Sequence, residues 1–215
     1  MKVAVLGTGD VGKTLGKAFI ALGHEVKMGA REATNEKAAA WCKEMGDKAS
    51  HGTFADAAAF AELVVLATLG AANQAVLEAA GPDNLAGKIL IDTTNPLDMS
   101  KGFPPSLSVG HTDSGGEAVQ RLAPKAHVVK AFNTVGNAHM FKPAFEGGPP
   151  DMFICGNDEE AKKKVSALLV EGFGWGVVDL GGIEASRHLE PMCLVWVLHG
   201  ARSGSWNHAF KLLRK

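Results

Sequence analysis

The 215-residue chain is long enough to bury one α/β core and too short for two full domains. Its formal net charge of -1 provides no broad basic field, which argues against nucleic acid or an anionic membrane surface and makes a small molecule the expected partner. The 3 cysteines, Cys42, Cys155 and Cys193, are odd in number, far apart and without CxxC spacing, so they read as small buried hydrophobes rather than a disulfide framework.

Met1 runs directly into Val3-Ala4-Val5-Leu6, which predicts a strand over Lys2 to Leu6, leaves no room for a leader and implies a cytoplasmic protein. No apolar run approaches the length of a membrane span. Gly7-Thr8-Gly9-Asp10-Val11-Gly12 follows the strand and opens a helix from Val11 to Leu22. In a strand-turn-helix setting the glycines of such a motif divide the work. Gly7 makes the tight turn, Gly9 admits a pyrophosphate against the backbone, and Gly12 lets the helix pack on the strand. Gly16 prolongs that small-residue face. The helix N-terminus, with Thr8, Asp10 and Val11 around it, then offers free N–H groups and a positive dipole to phosphates.

A second strand, Glu25 to Gly29, ends at Met28-Gly29-Ala30-Arg31. A carboxylate about 20 positions after the glycines would hold a ribose 2′-hydroxyl and select NAD. None stands here, and Arg31, with Lys37 on the following helix from Asn35 to Met45, offers donors for a 2′-phosphate instead. The expected ligand is NADP(H), although Glu32 beside Arg31 is unhelpful.

Strands at Ala49 to Gly52, Leu63 to Thr68 and Lys88 to Asp92 alternate with helices at Phe54 to Phe60 and Ala71 to Ala79. Ser114 precedes a helix at Gly116 to Leu122, and a sixth strand covers His127 to Ala131. Thr68-Leu69-Gly70, Thr93-Thr94-Asn95-Pro96-Leu97 and Phe132-Asn133-Thr134-Val135-Gly136 leave the carboxyl ends of strands, where open parallel sheets bind ligands, and together form a floor for a nicotinamide. The Gly-, Pro- and Ser-rich stretch Asp98 to Asp113 reads as a pocket wall, with His111 facing either an acceptor or solvent.

Two more strands, Met152 to Cys155 and Gly176 to Leu180, flank a helix capped by Asp158 that runs to about Glu171. The tail reads as helical over Glu184 to His199 and again over Trp206 to Leu213. Within it, Met192 to Leu198 is apolar on every face, so it is either a buried central helix or a homodimer contact. The whole predicts a doubly wound Rossmann α/β domain over 1–215, with a mostly parallel sheet of about eight strands and a helical C-terminal tail. Residues 1–136 form the dinucleotide-binding core and 137–215 complete the sheet and a pocket or dimer interface.

The chain has 0 tyrosines, which excludes the Tyr-dependent carbonyl reductases. His24, His51, His127, His139, His188, His199 and His208 show no HxxxH or HExxH spacing, and no serine stands in a GxSxG elbow, so neither a metal site nor hydrolytic chemistry is expected.

Val3 to Gly12, Gly29-Ala30-Arg31, Ile91 to Leu97, Asp113-Ser114-Gly115-Gly116-Glu117 and above all Val128-Val129-Lys130-Ala131-Phe132-Asn133-Thr134 resemble the F420-dependent NADP oxidoreductases. That family includes the reductase domain of the STEAP metalloreductases. The resemblance implies NADP(H) at Thr8 to Val11 and Arg31, and a deazaflavin (coenzyme F420) or flavin (FMN or FAD) acceptor near Asn95, Pro96 and Asn133, with Ala131 a further candidate cofactor-binding residue. Hydride transfer between such rings needs no protein acid, base or nucleophile, because the acceptor nitrogen either takes its proton from solvent or remains anionic. Two alternatives stand beside it: a dinucleotide-sensing module without turnover, and a hydroxyacid dehydrogenase or imine reductase. The latter normally needs a larger helical domain than the stretch after Leu180 provides.

Overall fold

A computed structural model describes all residues from Met1 to Lys215. Strand β1 (Lys2–Leu6) lies inside the sheet because its side chains are apolar on both faces. Their period of two divides them between two cores, Val3 and Val5 to one side and Ala4 and Leu6 to the other. The chain continues through α1 (Asp10–Ala21), β2 (Glu25–Ala30), α2 (Glu36–Met45), β3 (Ala49–Thr53), α3 (Phe54–Phe60), β4 (Leu63–Leu66), α4 (Asn73–Ala80), α5 (Pro82–Leu85) and β5 (Ile89–Asp92). A small ribbon, β6 (Leu97–Asp98) with β7 (Ser106–Leu107), precedes α6 (Gly115–Leu122) and β8 (His127–Lys130). Then come β9 (Asp151–Gly156), α7 (Glu159–Ala167), which runs on as a π-helical turn to Phe173, β10 (Gly176–Asp179) and α8 (Ser186–Ser203).

The main sheet has 8 strands in the order β10-β9-β8-β5-β4-β1-β2-β3. All neighbours are parallel except β8 and β9, so the last two strands run against the rest. Leu15, Phe19, Trp41, Val165 and Leu169 cover one face, and Phe54, Val76, Leu77, Val119 and Leu189 cover the other. This is the doubly wound arrangement expected from alternating apolar strands and amphipathic helices. Ser114 and Asp158, read from sequence as caps, accept a hydrogen bond from the first turn of their helices, and Asn35, read as the first residue of its helix, caps it instead by accepting from the Ala38 amide.

The tail departs from expectation. Gly204, in the left-handed conformation (φ 68°), ends α8, and Trp206 to Leu213 form no helix. The segment spends its polar groups on the body of the protein instead. The Asp151 amide donates to Phe210 O at 3.0 Å, the Leu212 amide donates to Asp151 Oδ2 at 2.8 Å, and Lys211 Nζ reaches Pro149 O. Trp206 packs on Trp196 with ring centroids 5.2 Å apart. These contacts outweigh the helical propensity of a stretch too short to be stable alone.

Nor is the apolar stretch of α8 a buried central helix. Cys193 is buried, whereas Val195 and Leu198 remain 56% and 43% exposed. Leu189 and Glu190 of the same helix are buried, Glu190 against the charge of Lys130. Deleting everything after Gly182 would uncover that charge and the apolar face beneath Leu189, so the truncated chain is expected to be recovered only as aggregate. Soluble, monomeric truncated protein in size-exclusion chromatography would show that the tail is dispensable.

Candidate functional site

The strand order reverses direction between β1 and β4, and a cleft opens at their carboxyl ends with a volume of about 1440 Å³. The glycine turn forms its centre. Gly7 adopts φ +128°, a conformation that strains any side chain, and its amide donates to Gly29 O at 3.1 Å, tying the turn to β2. A Cβ at Gly7 would fall 2.3 Å from Ala67 O, and one at Gly12 would fall 2.3 Å from Gly7 O. A Cβ at Gly9 meets nothing within 4 Å. Gly7 and Gly12 are therefore required by the fold, whereas Gly9 keeps space open in the cleft. Gly9 also caps α1 without a side-chain acceptor, leaving the first amides of the helix free for an anion.

Arg31 and Lys37 stand together at the rim beyond β2, both exposed. No carboxylate of the chain forms a salt bridge with either, although Glu32 and Glu36 share the rim. At the other end, Thr68, Leu69, Thr93, Thr94, Asn95 and Leu97 form the floor and walls. Leu69 is 81% exposed, an apolar side chain held at the mouth.

Four residues expected in contact with ligand do not line this cleft: Gly12, Pro96, Ala131 and Asn133. All are buried behind it. Gly12 packs α1 onto the turn, Ala131 lies at the end of β8 among core side chains, and Pro96 lies close to Gly115 of α6. Asn133 supports Asn95 from behind. Its Nδ2 donates to Asn95 Oδ1 and to Leu189 O, both at 3.0 Å, while Asn95 Nδ2 donates to Asn133 O at 2.8 Å. Phe132, buried at φ 64°, turns the chain so that Asn133 can face Asn95. His111 lies outside the cleft, and of the stretch from Asp98 to Asp113 only Met99 reaches it.

Sequence reasoning passed over the groups that hold this floor. Asp92 and Lys130 are charged residues in otherwise apolar strands, and each is fully buried. Such a residue in a buried strand is the signal that could have found them. Asn73, also buried, donates to Thr94 Oγ1 at 2.7 Å, and Thr68 Oγ1 donates to its Oδ1.

The site holds little acid–base chemistry. Its carboxylates, Asp10, Glu32 and Glu36, lie at the helix termini and the rim, and no histidine or cysteine lines it. Burial pushes the thiols of Cys155 and Cys193 up to about 11, which keeps them protonated and inert. No group of His, Cys, Asp and Glu side chains is arranged to hold a metal ion, and no helix is long and apolar enough to cross a membrane. The arrangement is suited to holding an extended anionic ligand and setting the orientation of what lies at its floor.

The family model described as "NADP oxidoreductase coenzyme F420-dependent" matches residues 2–96. The F420-dependent NADP reductase of Methanocaldococcus jannaschii is 33% identical over 206 residues, covering 89% of each chain. The chain belongs to this family. A crystal structure from Arthrobacter sp. FB24, provisionally named an F420-dependent NADP reductase, superposes with a TM-score of 0.93 at 45% identity, covering 100% of both chains. Rat metalloreductase STEAP3 is 29% identical over 197 residues, 90% of this chain but only 36% of its own length. This member of the F420-dependent NADP oxidoreductases thus spans little more than a third of that longer relative.

Proposed function

We propose that the protein is an NADP(H)-dependent oxidoreductase that moves a hydride between the nicotinamide and a deazaflavin of the coenzyme F420 type. The observation that carries this reading is Gly9, whose missing side chain leaves the centre of the cleft open beside free helix amides. Those amides, at Asp10 and Val11, receive the pyrophosphate. Arg31 and Lys37 receive the 2′-phosphate, and Thr68, Leu69 and Asn95 border the nicotinamide, with Pro96, Ala131 and Asn133 acting from behind. When bound, NADPH supplies a hydride from nicotinamide C4. The chain's own contribution is to hold the ring on the Thr94–Asn95 floor, to shield it with apolar Leu69, Leu97 and Met99, and to exclude water from the contact. No side chain is needed as an acid, which suits a cleft without histidine and favours a ring acceptor that takes its proton from solvent over a ketone.

Residues 1–136 carry the dinucleotide in this reading, and 137–215 complete the sheet and back the floor. The exposed stripe of Val195 and Leu198 joins two copies into a homodimer, a point that sedimentation equilibrium tests. The activity is tested by mixing protein and NADPH with F420, FMN or FAD and following absorbance. Oxidation of NADPH with F420, and little with the flavins, is the expected result. Tight NADPH binding without transfer to any of the three would favour a sensing module.

A further inference from the structure

Behind the floor lies a cluster that the transfer reaction does not itself use. Lys130 is 0% exposed; its ammonium donates to Thr94 O at 2.8 Å and forms ion pairs with Asp92 Oδ2 at 2.8 Å and Glu190 Oε1 at 3.1 Å. Asp92 Oδ1 accepts from the Thr94 amide at 2.9 Å and from Thr94 Oγ1 at 2.7 Å. Glu190, on α8, accepts from the amides of Gly115 and Gly116 at 3.0 and 2.9 Å, so the positive end of α6 offsets the second carboxylate. Burial alone would lower the Lys130 ammonium, but the two carboxylates outweigh it and hold it above its ordinary value. The packing is as close as backbone allows: a Cβ at Gly116 would lie 2.8 Å from Lys130 Cε and 2.2 Å from Ser186 Oγ.

We propose that Asp92, Lys130 and Glu190 are positioning residues that clamp Thr94 at its amide, hydroxyl and carbonyl, and so set the plane on which the nicotinamide ring rests. This rests on the reading that the ring lies at Thr94–Asn95. Stability alone does not explain the cluster, because well-packed apolar side chains hold a core as well as buried charges do. What buried charges add is direction. Thr94 is fixed along three bonds, and Asn73 extends the same chain of bonds to Thr68, which also lines the cleft. Dinucleotide affinity comes from elsewhere, at the glycine turn and Arg31. Loosening the clamp therefore frees the ring while the phosphates stay bound.

The test uses Glu190→Gln and Asp92→Asn, each of which leaves Lys130 one carboxylate and so avoids an unpaired buried charge. Two readouts on the NADPH complex need no turnover: affinity by calorimetry, and the fluorescence anisotropy of the bound nicotinamide. Affinity should stay within about threefold of wild type, while the anisotropy falls. With acceptor present, kcat should fall about ten- to a hundredfold, and the isotope effect from NADPH deuterated at C4 should rise, whereas a smaller folded fraction would scale kcat and leave the isotope effect alone. Val165→Ala, which removes buried volume on α7 away from the floor, should lower Tm without changing the anisotropy. Wild-type anisotropy in whichever of the two variants folds, or affinity lost in step with it, would overturn the clamp. If the wild type binds NADPH but reduces no acceptor, the proposed activity fails and the anisotropy still decides the clamp; if it does not bind NADPH, both fail.

Discussion

Gly9→Val is expected to give a folded protein that no longer binds NADPH. The backbone at Gly9, φ -79° and ψ -179°, is open to any residue, and the added carbons meet no protein atom near the first of them. The fold therefore loses nothing that it uses. The isopropyl group instead occupies the place in the cleft where a phosphate would approach the amides of Asp10 and Val11. Losing those charge-assisted bonds costs about 3 kcal/mol or more, at least a hundredfold in affinity. Calorimetric titration with NADPH, beside a thermal melt that matches wild type, checks both halves. Gly12→Ala is the contrast. Its Cβ would lie 2.3 Å from Gly7 O, so the helix must move off the strand and the melt should shift down before binding is considered. Full NADPH affinity in folded Gly9→Val protein would remove the turn from the site.

Much of the fold was legible because its strands are buried on both faces and therefore read as unbroken apolar runs. Val3 to Leu6 and Leu63 to Leu66 are examples, and the caps at Ser114 and Asp158 marked where two helices begin. The antiparallel step from β8 to β9 was not legible, since direction in the sheet is set by how a connection returns rather than by composition. Trp206 to Leu213 failed for a related reason: its course follows from Asp151 and Trp196, which no local pattern announces.

Of the three loops marked in the sequence, Thr68 to Gly70 and Thr93 to Leu97 contribute to the cleft, whereas Phe132 to Gly136 does not line it. Asn95 reaches the cleft while Asn133, paired to it, is buried behind. The Asp92, Lys130 and Glu190 cluster unites three distant stretches of chain. Only the folded sheet brings them together, although the Gly115-Gly116 pair that receives Glu190 lies in one of the stretches that carry the family resemblance.

Arg31→Ala should weaken NADPH about ten- to a hundredfold and leave NADH almost unchanged. The prediction follows from what surrounds the residue. Arg31 sits exposed at the cleft rim with no carboxylate in a salt bridge to it, so its guanidinium is free to meet a 2′-phosphate along two parallel bonds. Such a contact contributes roughly 1.5–3 kcal/mol, and exposure moves the expected value toward the lower end. Each 1.4 kcal/mol is tenfold in affinity. NADH has a hydroxyl at that position and little to lose. Lys37, in the first turn of α2 on the same rim, is a point charge without the planar fork, so Lys37→Ala should cost NADPH less than Arg31→Ala does. Glu32 works against both cations and gives the site a handle of opposite sign: Glu32→Gln should tighten NADPH modestly and leave NADH alone. Because all three groups are exposed, raising the salt concentration should narrow the wild-type preference and shrink the difference between variants. Parallel titrations of both cofactors at low and high salt measure all of this at once. Equal losses for NADH and NADPH in Arg31→Ala would mean that the arginine does not read the phosphate, leaving the glycine turn and Lys37 as the cleft's assigned contacts with the dinucleotide's phosphates.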